Sequence, residues 1–229
     1  MRTSETATFS LKRTLAARLF RYSGFLDRLS STSRWVKRVE KDCPCPTFSS
    51  REEMYHYINE SLLGGAKAAI DYFEFGVAAG SSLRTWCQLN SNEKSRFFGF
   101  DSFQGLPDDW RKDRPKGHYS TGGRLPEIGD PRVELIPGWF QQSLPGFLAR
   151  YQQFSPVVIH NDSDLYSSTL FCLAGMNPLI VRGTVIVFDE FYETLHEYRA
   201  LSDYCDAFVR EYKIVAATPN FDQITIQIL

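Results

Sequence analysis

Acidic side chains gather at two places in this sequence where they could do chemistry together. His160-Asn161-Asp162-Ser163-Asp164 follows an apolar run at residues 156–160, and Asp189-Glu190 follows another at residues 184–188. Short apolar runs bounded by polar residues read as buried strands. If the two strands are neighbours, roughly 5 Å apart, then Asp162, Asp164, Asp189 and Glu190 converge on one rim of a sheet. Four like charges crowded there cost stability unless a cation offsets them. A hard divalent ion with oxygen ligands suits the set, and Mg2+ is the expected ion. No Cys/His set at zinc spacing competes for that role. Such an ion lowers the pKa of a hydroxyl, and a nearby carboxylate can take the proton. Plainer readings stand beside this one: Asp164 as the cap of the following helix, and Asp162 as a cofactor contact only. His160 and His118 are rival bases.

A second constellation is Glu74-Phe75-Gly76-Val77-Ala78-Ala79-Gly80-Ser81-Ser82, which follows an apolar strand and opens a helix. Gly76 and Gly80 let the backbone turn tightly and approach a ligand. The dinucleotide fingerprint G-x-G-x-x-G is absent. A carboxylate at Glu74, two residues before the first glycine, suits a cationic amino-acid group better than a pyrophosphate, which prefers bare N–H groups. Asp101 stands about twenty residues after Gly80 at a second strand end, where an acid accepts from ribose hydroxyls. Together these residues point to an adenosyl ligand. Glu74 as a strand-end ion pair and Asp101 as a helix cap are the plainer alternatives.

These groups need elements to position them. Ser50 and Glu53 form a capping box, and a helix runs from there through Leu62 to Gly64-Gly65. Strands are expected at 71–75, 96–100, 132–136, 156–160 and 184–188, with helices at 81–89 and about 195–211. Five strand–helix units imply an α/β fold with a parallel sheet covered on both faces. The last two strands, 212–217 and 223–229, are joined by too short a link for a parallel crossover. The expected architecture is a seven-stranded, mostly parallel Rossmann-like sheet with an antiparallel C-terminal strand, as in class I methyltransferases. Residues 103–130, rich in Gly, Pro and charge, read as a lid.

The motifs Glu-Phe-Gly-Val (74–77), Asp-Ser-Phe-Gln-Gly-Leu-Pro (101–107), Pro-Gly-Trp-Phe-Gln-Gln-Ser-Leu-Pro (137–145), Asp-Ser-Asp-Leu-Tyr-Ser-Ser-Thr (162–169) and Phe-Asp-Glu-Phe (188–191) stand in order. In them the chain, over residues 50–229, resembles the macrocin O-methyltransferase family, Mg2+-dependent sugar O-methyltransferases that use S-adenosylmethionine. The resemblance implies metal ligation by Asp162, Asp189 and Glu190, with Asp164 as general base. It implies cofactor contacts by Glu74, Gly76, Asp101 and Ser102, and places Gly138 and Trp139 at the adenine edge. Gly80, Ser81 and Asp162 complete the expected cofactor set. The family's pattern has two aspartates where this chain has Asp189-Glu190, and often an apolar residue where it has Asn161.

The whole chain of 229 residues carries a formal net charge of −1, so it has no nucleic-acid signature. No apolar run is long enough to cross a membrane. The first forty residues differ: basic residues from Lys12 to Lys41 are interleaved with Phe9, Leu11, Leu15, Phe20, Phe25 and Leu29. Their spacing favours an amphipathic helix packed on its own domain or on a partner subunit, over a membrane-surface arm or transit peptide. The expected organisation is a helical extension and linker over 1–49 and a methyltransferase domain over 50–229. The family resemblance implies a homodimer, with this N-terminal region contributing to dimer contacts and to closing the substrate site. The five cysteines read as buried free thiols in a reducing cytoplasm, with Cys43-Pro44-Cys45 a weak metal hint. The expected substrate is a hydroxylated small molecule. Rival functions are a metal-independent methyltransferase, a non-catalytic adenosyl-binding assembly subunit and, more remotely, a nucleotide-linked oxidoreductase.

Overall fold

The computed structural model describes residues 26–42 and 44–229. The chain forms two units, one ending at Lys41 and one spanning Asp42–Leu229. Helix α1 covers residues 26–42 and exposes Leu26, Leu29 and Val36. Most of the expected basic helix, including Lys12 to Arg21, and Cys43 lie outside the described residues. No helix among the described residues is long and apolar enough to cross a membrane.

The second unit opens with α2 (Arg51–Tyr57). Ser50 caps it by accepting from the Glu53 N–H, and Glu53 reaches back to the Ser49 N–H at 3.0 Å. The helix then widens into a π-turn, Ile58–Leu62, and ends at Gly64 and Gly65, both left-handed. The expected strands follow: β1 (Asp71–Phe75), β2 (Arg96–Asp101), β3 (Val133–Pro137), β4 (Val157–Asn161), β5 (Val185–Phe188), β6 (Tyr212–Ala217) and β7 (Ile224–Ile228). Between them lie α3 (Ser81–Leu89), α4 (Phe140–Leu148), α5 (Tyr166–Met176) and α6 (Glu197–Phe208). The elements expected from the sequence differ by a residue to three at their ends, where helices and strands fray, while α4 and α5 are helices for which the sequence reading sets no bounds.

The sheet order is β3-β2-β1-β4-β5-β7-β6. The first five strands are mutually parallel, and β7 runs antiparallel to both β5 and β6. Both faces are covered, which is why β1 is buried along its whole length. On one face Tyr72 packs on Trp86 of α3 and on Phe97. On the other, Phe73 packs on Phe98 and on Phe147 of α4. Asp71, fully buried, is matched by Arg96 and by the Tyr151 hydroxyl at 2.6 Å. The chain leaves β1 toward β2 on one side and reaches β4 on the other. A crevice therefore opens between the C-terminal ends of β1 and β4, where ligands of such sheets bind.

Candidate active site

The crevice starts at a close backbone crossing. The Asp162 N–H donates to the Phe75 carbonyl at 2.9 Å, and the Gly76 N–H to the Phe100 carbonyl at 2.9 Å. Gly76 has φ +98°, and a Cβ there would stand 1.7 Å from the Asp162 carbonyl oxygen. Only glycine lets the two strand ends meet. The Asp101 carboxylate holds the loop from the other side, accepting from the N–H groups of Val77 (2.9 Å), Ala78 (2.7 Å) and Phe103 (2.7 Å). It caps no helix. It braces the glycine turn while facing the cavity. Gly80, left-handed, is the N-cap of α3 and lies under Ile128 and Pro126 of the 103–130 segment.

A cavity of about 800 Å³ occupies the crevice. Gly76, Asp101, Ser102, Gly138 and Trp139 line it, as do Asp162, Asp164, Asp189 and Glu190. Glu74, Gly80 and Ser81 do not line it. The 103–130 segment supplies Gly105 to Asp108, Lys116 and Tyr119 to the wall. That segment is folded on itself: the Leu106 N–H donates to the His118 carbonyl and the Gly117 N–H to the Leu106 carbonyl, both at 2.9 Å. Gly105 is required there, because a Cβ would stand 2.4 Å from the carbonyl oxygens of Gly117 and His118. His118 packs edge-on against Tyr119 and is not on the wall.

Glu74 is turned into the protein. Its oxygens accept from the hydroxyls of Tyr72 and Ser82, both at 2.7 Å. His160, fully buried, lies beyond it: Nδ1 is 2.7 Å from the Tyr72 hydroxyl and 3.6 Å from Glu74, while Nε2 is 3.3 Å from the Tyr55 hydroxyl and 3.9 Å from Asp189. Burial opposes protonation of His160, but Asp189 and Glu74 outweigh it and lift the imidazole to about 9.

The carboxylates are crowded. Burial, then Asp189 and Asp164, push Asp162 well above the usual aspartate range. Burial and the neighbouring Glu190 and Asp189 lift Asp164 to about 7, and burial with Asp189 does the same for Glu190. Asp189 goes the other way: burial penalises its charge, but His160 and Arg51 hold it below the ordinary value. Asp164 has φ +58° and no hydrogen-bond partner among the described residues. It does not cap α5, whose N-cap is Leu165 with no side-chain bond. One ligand atom each from His160, Asp162 and Asp189 lies within 4.8 Å of the others, a spacing that could hold a metal ion. Glu190 faces the same cavity but stands outside that group.

Two residues here escaped the sequence reading. Arg51 lines the cavity, and its Nη1 is 3.3 Å from Asp189 Oδ2. Its position just after the Ser50 cap was legible; its reach across the fold to β5 was not. Glu197, fully buried at the start of α6, accepts from Asn161 Nδ2 at 2.8 Å and from the Glu190 N–H at 3.0 Å. An acid in a helix's first turn is so ordinary that sequence gave no reason to single it out.

Residues 73–191, just over half of the chain, match the family model described as a methyltransferase domain. A tetracenomycin-C rhamnosyl 4'-O-methyltransferase of Streptomyces olivaceus is 28% identical over 56% of this chain and 58% of its own length. Demethyldecarbamoylnovobiocin O-methyltransferase of Streptomyces niveus is 26% identical over 48% of this chain and 49% of its own. The chain thus spans about half the length of these relatives. The solved structure of the O-methyltransferase NovP shares the fold, with a TM-score of 0.61 at 22% identity over 77% of this chain and 78% of that one. A Rossmann-like sheet, a glycine turn braced by Asp101 and the match across β1 to β5 lead to one family: the chain belongs to the methyltransferase-domain family.

Proposed function

We propose that this protein is an S-adenosylmethionine-dependent O-methyltransferase that methylates a hydroxyl of a small molecule, with a sugar of a natural product as the favoured acceptor. The observation that carries the reading is Asp164, a carboxylate without a hydrogen-bond partner among the described residues, on the wall of a cavity that Gly76 of the glycine turn and Asp101 also line. Both relatives are O-methyltransferases, one of them of a rhamnosyl-bearing tetracenomycin.

The donor end of the cavity suits an adenosyl group: Asp101 keeps lone pairs for ribose hydroxyls while it braces the turn, and Ser102, Gly138 and Trp139 stand beside it. Glu74 serves by ordering Ser82 at the head of α3 and by facing His160. The acidic end suits a divalent cation, since burial and neighbouring carboxylates raise Asp162 and Glu190 above their ordinary values beside a charged Asp189. Asp162 and Asp189 would hold the ion. Glu190 is the favoured third ligand, because both nitrogens of His160 already face tyrosine hydroxyls. A bound divalent ion supplies a lowered pKa to a hydroxyl beside it.

The chain's residues then have distinct work. Asp164 accepts the acceptor's hydroxyl proton as the oxygen bonds to the methyl carbon and the carbon–sulfur bond breaks. The 103–119 wall excludes water from that exchange. Alignment of oxygen, methyl and sulfur supplies much of the rate.

Calorimetric titration with S-adenosylhomocysteine, in Mg2+ and then in chelator, tests the reading. Micromolar-range binding in both, with methyl transfer to a hydroxylated acceptor only in Mg2+, is the expected result. Absence of binding in both conditions would overturn the methyltransferase assignment. Transfer that survives chelation would overturn the metal and favour a metal-independent enzyme.

A further inference from the structure

Successive residues of β4 point to opposite faces of the sheet. His160 enters the α2–α3 side, and Asn161 enters the α5–α6 side. There Asn161 Nδ2 donates to Glu197 Oε1 at 2.8 Å and to Thr169 Oγ1 at 3.2 Å, while its Oδ1 accepts from Ser163 Oγ at 3.2 Å. Glu197 Oε2 accepts from the Glu190 N–H at 3.0 Å. Asn161, Thr169 and Glu197 are fully buried. Glu197 opens α6, yet its carboxylate spends both oxygens on other elements, the ends of β4 and β5. A buried carboxylate is costly to retain merely to favour a helix start.

We propose that Glu197 is a positioning residue: by bridging Asn161 and the Glu190 backbone, it fixes the spacing of the two loops that carry Asp162 with Asp164 and Asp189 with Glu190. The inference rests on the reading of those loops as the metal-holding and proton-accepting end of the cavity. A carboxylate is the side chain that fits, because both of its neighbours are donors. Glu197→Gln keeps the shape but offers one acceptor oxygen to two N–H groups, so one bond is lost and an NH2 group faces a donor. Asn161→Asp together with Glu197→Gln exchanges the two functions and restores complementarity across the same gap.

The test compares wild type, Glu197→Gln and the double exchange in the full chain. Mg2+ is titrated calorimetrically with S-adenosylhomocysteine bound, and hydrogen–deuterium exchange is followed over residues 161–165 and 188–192. Glu197→Gln is expected to bind Mg2+ roughly 10–100-fold more weakly, as losses of supporting contacts do. It should exchange faster in both segments and bind S-adenosylhomocysteine in chelator much as wild type does. The double exchange should recover the Mg2+ affinity and the protection. Unchanged exchange in both segments of Glu197→Gln overturns the proposal. So does cofactor-product affinity falling as far as Mg2+ affinity, since that is general loosening. If wild type takes up no Mg2+, the metal reading fails by itself, and the exchange comparison alone decides the role of Glu197. If Glu197→Gln does not fold, Asn161→Ala cuts the same bridge at its other end and carries the same expectation.

Discussion

Asp164 reaches the cavity from a left-handed backbone conformation that aspartate tolerates better than most residues. It is free of the hydrogen bonds that would hold its charge, and burial with Glu190 and Asp189 lifts it to about 7. As the proposed base, it must carry its negative charge to act. Asp164→Asn is expected to lower turnover at least about 100-fold while S-adenosylhomocysteine binds as before. Steady-state assay beside calorimetry checks this, and wild-type turnover would remove Asp164 from the role. The same crowding has a signature in stability. Asp164 and Glu190 have folded values near 7, above the ordinary 3.8 and 4.5. The folded protein therefore holds protons that the unfolded chain releases. Their stabilising contribution is complete below the ordinary values and is lost as pH rises through about 7. In chelator, the thermal midpoint should fall between about pH 5 and 8, and Mg2+ should recover much of it at the upper end. A midpoint as flat with chelator as with Mg2+ would contradict the crowded-acid account.

At the level of elements, the site depends on how closely β1 and β4 end. Gly76 combines φ +98° with a would-be Cβ 1.7 Å from the Asp162 carbonyl. An alanine there adds both backbone strain and overpacking, and the neighbour is main chain that cannot swing away. Gly76→Ala is expected to cost on the order of 2–6 kcal/mol in urea unfolding. A cost under about 1 kcal/mol would show that the crossing relaxes. Around this crossing, the two faces of β4 do separate work. His160 ties Asp189 to Glu74 and the tyrosines, and Asn161 ties the Glu190 backbone to α5 and α6. The acidic end is thus held from both sides of the sheet.

Across the whole molecule, the chain divides near Lys41, ahead of the Pro-rich stretch that the sequence marks as a linker. We propose that the segment before it is an extension serving dimer formation, and that the unit after it holds the S-adenosylhomocysteine site. Limited proteolysis should cut ahead of Pro46, whose carbonyl accepts from the Ala217 N–H at 3.0 Å, and leave a fragment that still binds S-adenosylhomocysteine. Sedimentation should find the full chain near twice its 26.3 kDa mass and the fragment at its own mass. A fragment that loses binding would place part of the site in the extension, and a monomeric full chain would remove the dimer.

Strand runs, the capping box at Ser50, the short link before β7 and the glycine turn were legible in the sequence, because each is a local rule of periodicity or backbone freedom. The ordered motifs likewise identified Asp101, Asp162, Asp164, Asp189 and Glu190, which the fold brings to one cavity. Direction and partnership were not legible. Glu74 turned inward to Tyr72 and Ser82, although its position in the motif suggested a ligand contact. Arg51 reached Asp189, and Glu197 reached Asn161 and Glu190, across large separations in the chain. Which face a side chain takes follows from its strand, but what waits there is set by the sheet order and by the helices packed on each face. Only the tertiary structure decides those.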